Sequence, residues 1–224
     1  MKTALQKKAI QAIQQHGALL TFSINNKKEP LSLWSTLYPR SDMKWEWNED
    51  SDPRVAQLWH LREQLSTSRE VIYSKWYQGR ATFFSLETFQ HLLSAQKAFE
   101  KRNHLGSREA KEIIEALEMD SPLSTRQIKE VAELRGKNFE AQYNRVMKEL
   151  WWSGLIVAFG EIEDSSFPSL AVGATLTLFE EVWSGAKKLK PDESLQWLEK
   201  KLGPQNLFYR ALLKSKNIEK KITN

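Results

Sequence analysis

Three periodic apolar segments in succession, a glycine turn between the second and third, and two β-rich runs directly after them predict an α+β chain. It should be mainly helical, with a winged helix-turn-helix in its C-terminal half. Tandem winged-helix units are the alternative organisation, because residues 1–104 also combine helices with a hairpin. On this reading the chain divides into an aromatic-rich α+β region (1–104), itself a candidate degenerate winged helix, the winged helix-turn-helix (105–185) and a basic helical tail (186–224).

In the first region, Leu5, Ala9, Ile10 and Ile13 recur at helical spacing and Gly17 stands where the helix should close. Leu19 to Ile24 alternates as a strand does, and Asn25 to Pro30 has loop composition. An aromatic-rich stretch follows, with Trp34, Tyr38, Trp45 and Trp47 among acids. Pro53 can then open a helix through Val55, Leu58, Trp59 and Arg62 to Leu65. Val71–Tyr77 and Arg80–Phe84, around Gln78-Gly79, predict a β-hairpin. Ser85 caps the next helix, whose apolar side is Leu86, Phe89, Leu92 and Leu93, and the polar stretch from Lys97 to Gly106 marks a subdomain boundary.

The second region carries the functional inference. Ser107 starts a helix with Ile113, Ile114 and Leu117 on one face. Ser124 and Gln127 have capping-box spacing, in which each side chain satisfies the other's exposed backbone donor, and Ile128 and Val131 should bury the helix they open. After the turn at Leu134–Lys137, Asn138 is expected to cap a longer helix that turns Phe139, Tyr143, Val146, Met147, Leu150 and Trp151 inward. Leu155–Ile162 and Ser169–Leu176 would form the wing. In such a fold the third helix enters the major groove. Its wet face here would present Asn138, Gln142, Arg145 and Lys148, donors and acceptors suited to base edges, while Arg126, Lys129, Arg135 and Lys137 would lie near phosphates. Any surface helix also carries such residues, and the wing's Glu161, Glu163 and Asp164 should repel a phosphate backbone.

Charge and composition bound the rest. The net charge is +5, and from Ala186 onward ten Lys or Arg face four acids, so the basicity lies mostly in the tail. That tail suits either solubility or phosphate steering. With no cysteine, the chain can form neither disulfides nor thiolate metal sites, and it suits the reducing cytoplasm. No apolar run reaches the length of a membrane helix, and no secretory segment is visible. His16, His60, His91 and His104 are scattered without metal-ligand spacing, and no phosphate-binding glycine loop or nucleophile elbow occurs. No cofactor, metal or catalytic group is therefore expected. Asp42, Glu46 and Gln64 are the residues a relocated catalytic group would use. Trp45, Trp47, Trp59 and Trp76 suit core packing better than a base-stacking platform.

Several segments carry a family resemblance: Leu33-Trp34, Trp45-Glu46-Trp47, Leu58-Trp59-His60-Leu61-Arg62, Val71-Ile72-Tyr73-Ser74-Lys75 and Arg80-Ala81-Thr82-Phe83-Phe84-Ser85. Ser121-Pro122-Leu123-Ser124-Thr125-Arg126 and Val146-Met147-Lys148-Glu149-Leu150 extend it. In these the chain resembles the AlkZ-related group of bacterial winged-helix proteins, relatives of AlkZ-type glycosylases that act on alkylated and crosslinked DNA. The resemblance implies tandem winged-helix units and association with double-stranded DNA. It does not carry catalysis, because the Gln-x-Asp or Gln-x-Gln motif that places the attacking water in those glycosylases occurs at no glutamine here. The expectation is a DNA-binding protein linked to repair and without catalytic activity. The alternatives are a glycosylase of the same superfamily acting on alkylated DNA, and a scaffold that binds a protein partner or a second copy of itself.

Overall fold

The computed structural model describes residues 2–44, 52–164 and 168–223. Trp45, Glu46 and Trp47, named above, lie outside them.

Local sequence explains most helix starts. The Thr3 hydroxyl accepts from the Gln6 N–H and opens α1 (Ala4–His16). After β1 (Ala18–Leu20) and the short α2 (Leu33–Leu37), Asp52 caps α3 (Pro53–Ser66), with Pro53 in the first turn. β2 (Val71–Ser74) pairs with β3 (Thr82–Ser85) as the expected hairpin, and Ser85 caps α4 (Leu86–Ala95). Ser107 caps α6 (Arg108–Met119), and Ser124 and Gln127 form the reciprocal capping box of α7 (Thr125–Val131). α8 (Glu140–Trp152) follows a glycine turn at Gly136, and β5 (Ile156–Ile162) and β6 (Ser169–Ala174) form an antiparallel hairpin after it.

Several local expectations need correction. The strand expected over Leu19–Ile24 is only Ala18–Leu20. The hairpin is joined by seven residues, 75–81, and not by two, because Trp76 and Tyr77 leave the strand to pack inward, against Trp152 and Phe208 respectively. The polar stretch after Lys97 contains α5 (Ala98–Asn103). The turn before Ser124 contributes a short strand, β4 (Leu123–Ser124). Asn138 does not cap α8, since a 3₁₀ turn (Lys137–Phe139) precedes that helix. The tighter turn shifts the helical phase and leaves Phe139 42% exposed. Val131, at the last residue of α7, is 40% exposed instead of buried.

The strands form one sheet in the order β1-β3-β2-β5-β6-β4, with every neighbouring pair antiparallel. β2 of region 1–104 and β5 of region 105–185 are joined at Tyr73 and Ala158, so the sheet runs through both regions. All four residues of β2 and of β3 are buried. Because successive strand side chains point to opposite faces, helices cover this part of the sheet on both sides.

β5 is held at its far end by α3. It bulges between Ala158 and Glu161, where the Gly160 N–H donates to the Ser66 hydroxyl at 2.9 Å. Gly160 sits at φ 80°, and a Cβ there would come within 2.9 Å of Thr67, so only glycine fits the bulge without strain.

α9 (Thr175–Leu178), α10 (Glu180–Lys187), α11 (Pro191–Leu202) and α12 (Leu207–Thr223) complete the chain. The segment expected as a basic tail is helical, but it is not simply solvated. α10 and α11 pack on α4, and Leu198, Phe208, Tyr209 and Leu212 are buried. His91 of α4 stacks on Trp197, and its Nδ1 lies 3.1 Å from the Ser194 hydroxyl. Packing of the α11–α12 apolar side outweighs the exposure that lysine content alone suggests. Among the described residues no helix is long and apolar enough to cross a membrane.

Candidate nucleic-acid interface

The period of α8 decides what it offers to a ligand. Tyr143, Val146, Met147, Leu150 and Trp151 are buried, which leaves Asn144, Arg145 and Lys148 on the exposed side. Among the described residues neither Arg145 nor Lys148 forms an ion pair.

The eight residues expected to meet DNA fall into two groups. Lys137, Asn138, Arg145 and Lys148 are exposed and uncommitted to other described residues. The other four have protein partners. Arg126 donates to the Asp164 carbonyl at 3.2 Å, Lys129 pairs with Glu140 at 2.7 Å, Arg135 with Glu130 at 2.5 Å, and the half-buried Gln142 donates to Glu109 at 2.7 Å. Exposed pairs of this kind contribute little to stability and can exchange for phosphate, so Arg126 and Arg135 stay available to an anion. Gln142 is more constrained, because its amide ties α8 to α6.

The acids of the β5–β6 hairpin are less repulsive than their number suggests. Glu161 turns inward to Arg62, which is itself buried and lies with its guanidinium 4.0 Å from the Trp59 ring centroid. Asp164 accepts a hydrogen bond from the Ser169 hydroxyl at 2.8 Å, and the nearby Ser124 hydroxyl first, with Ser169 second, holds its carboxyl below the usual range. Glu163 is the exposed carboxylate of this trio.

Beside α8 opens a cleft of about 830 Å³, a volume typical of small-molecule sites. One wall is the β2–β3 connection, with Lys75, Trp76, Gln78 and Gly79; the other is α8, with Tyr143, Asn144 and Lys148, and α7 adds Lys129. Three ammonium groups therefore line a space that holds one carboxylate, Glu140, already paired with Lys129. The Lys129 ammonium lies 4.6 Å from the Tyr143 ring centroid. Burial, helped by Glu140, pushes the Tyr143 phenol up to about 12, so it stays a protonated donor.

Lys75, Gln78 and Asn144 were not anticipated as site residues. Lys75 and Asn144 lie far apart in the chain, and the pairing of β2 with β5 and the stacking of Trp76 on Trp152 bring their elements together. No spacing within either segment signals that meeting. Trp76 is buried, stacked on Trp152 at 4.4 Å between centroids, and so supports the cleft from beneath rather than offering a free stacking face. Of the residues considered for a relocated catalytic group, Asp42 and Gln64 are exposed on the surface, and Glu46 lies outside the described residues. Among the described residues no three His, Asp or Glu side chains gather as a metal would require.

Comparison with known proteins gives two findings. The model of a family described as AlkZ related matches residues 5–215. The solved structure of the Streptomyces sahachiroi DNA glycosylase AlkZ is similar at 14% identity and a TM-score of 0.43, covering 90% of this chain and 57% of that one. The chain thus spans little more than half the length of that protein. No curated protein matches the sequence.

Proposed function

The chain belongs to the AlkZ-related family, and from that premise we propose that it is a winged-helix DNA-binding protein acting in the cytoplasm, in a repair setting. α6, α7 and α8 are the three helices of the module, β5 and β6 its wing, and α8 enters the major groove of duplex DNA. Arg145 and Lys148 contact the groove or its rims. Lys137 and Asn138, at the entry to the helix, reach the adjacent backbone, and Arg126, Lys129 and Arg135 exchange their carboxylate and carbonyl partners for phosphate.

The observation that carries this reading is the division of α8, with Tyr143, Val146 and Leu150 buried while Arg145 and Lys148 stay exposed and without an ionic partner among the described residues. The inward turn of Glu161 to Arg62 removes part of the repulsion that argued for a protein partner instead.

The test is fluorescence anisotropy of a labelled duplex at low salt. Arg145→Ala together with Lys148→Ala should weaken binding at least about tenfold, since a single base-reading arginine is worth about 1–3 kcal/mol. Equal affinity in the double variant, or no duplex affinity in the wild type, contradicts the proposal.

A further inference from the structure

Lys75 stands apart from the other cations of the cleft. It is half-buried on the wall formed by the β2–β3 connection, and among the described residues it has neither a carboxylate nor a hydrogen-bond partner. A lysine kept from water without a counter-ion costs stability, so its placement asks for an explanation in function. The charge that acts on it is another cation, Arg62, whose guanidinium is itself held by Glu161. Burial first, and Arg62 second, hold the Lys75 ammonium below its ordinary 10.5, which raises the fraction present as free amine near neutral pH. Across the cleft, Lys129 and Lys148 attract phosphate, and the Gln78 and Asn144 amides can hydrogen-bond a sugar or base edge. The space, about 830 Å³, accommodates a nucleotide.

We propose that Lys75 is an amine nucleophile that condenses with the aldehyde of an abasic deoxyribose in DNA bound over this cleft. The proposal rests on the DNA-binding function above. The Nζ lone pair attacks C1′ of the ring-opened sugar; a C–N bond forms, and the carbonyl π pair moves to oxygen, which takes a proton from nitrogen. Loss of that hydroxyl as water gives the imine. With the imine as electron sink, solvent water removes a C2′ proton, and the 3′ C–O bond breaks so that phosphate leaves with the bonding pair. Hydrolysis of the imine returns the amine. No oxidant or metal enters the sequence.

The test incubates the full chain with a duplex bearing one aldehydic abasic site in the presence of sodium borohydride, which reduces an imine to a stable secondary amine. The expected result is a covalent one-to-one adduct that peptide mapping assigns to Lys75. Lys75→Arg, which keeps the charge, and Lys75→Met, which removes a desolvated cation and so should fold at least as stably, should each lower trapped product per bound duplex at least about tenfold. An adduct absent from the wild type, spread over several lysines, or undiminished in both variants overturns the proposal. Anisotropy with a tetrahydrofuran abasic duplex, which lacks the aldehyde, runs in parallel. Binding without trapping refutes the role of Lys75 alone, whereas no binding refutes the DNA-binding reading as well.

Discussion

Arg62→Leu should be among the most damaging single substitutions outside the apolar core. The Arg62 side chain is 9% exposed and that of Glu161 20% exposed, and their ion pair joins α3 to the bulged end of β5. Removing the cation leaves a mostly covered carboxylate without its partner. Breaking a fully buried pair in this way costs about 3–5 kcal/mol. Because a fifth of the Glu161 side chain still reaches water, the lower end applies, about 3 kcal/mol. For a chain of this size that lowers Tm by roughly 6–12 °C. Lost packing of the guanidinium on Trp59 adds to the same direction. Replacing both partners, Arg62→Leu with Glu161→Leu, removes the orphaned charge and should recover most of the loss. Urea unfolding of the four proteins of this double-mutant cycle measures the coupling directly. A cost below about 1 kcal/mol for Arg62→Leu, the level of an exposed pair, would mean that the contact does not hold the β5–β6 hairpin in place.

Two further outcomes follow from the packing, and one from pH. Ser124→Ala deletes the hydroxyl half of the α7 capping box at a buried position, and should cost about 1–2 kcal/mol by urea unfolding. Gly173→Ala would bring a Cβ within 2.2 Å of Leu178 Cδ1, and should cost about 1–3 kcal/mol, an overpacking penalty that Leu178→Ala relieves in part. Burial between Ser194 and Trp197 holds His91 below its ordinary 6.5, against an opposing pull from Glu87. The unfolded chain therefore takes up this proton more readily than the folded one. Stability from the neutral ring is present above about pH 6.5 and declines as pH falls below it. The urea midpoint should drop between pH 7.5 and 5.5, and His91→Gln should flatten that drop; an unchanged slope would assign it to other groups.

Much of the order of helices and strands was legible from the chain alone because its determinants are local. Ser107, Ser124 with Gln127, and Ser85 announce helix starts by hydrogen bonds that span no more than three residues, and Pro53 announces one by its fixed φ in the first turn. The inward side of α8 follows from helical period once the helix has begun. What the periodic pattern missed has two sources, a local change of helix type before α8 and contacts that only folding makes. Phe139 falls out of phase because the 3₁₀ turn before α8 advances the chain at a different angle per residue. The pairing of β2 with β5 rests on one register, Tyr73 with Ala158, that neither strand's pattern encodes. Lys129, Arg135 and Gln142 look free in sequence, yet each has an acidic partner brought near by folding. Glu161 looked like a repulsive wing acid for the same reason, its partner lying on α3.

The salt dependence of duplex binding tests the proposed contact surface most directly. Each phosphate neutralised steepens the plot of log affinity against log salt by about 0.9. Arg145→Ala with Lys148→Ala should flatten the wild-type slope by about 0.9 for each phosphate contact the pair makes, whereas Arg145→Lys with Lys148→Arg should restore it. A slope and an affinity both identical in the wild type and the double alanine variant would place the bound DNA on another face of the molecule.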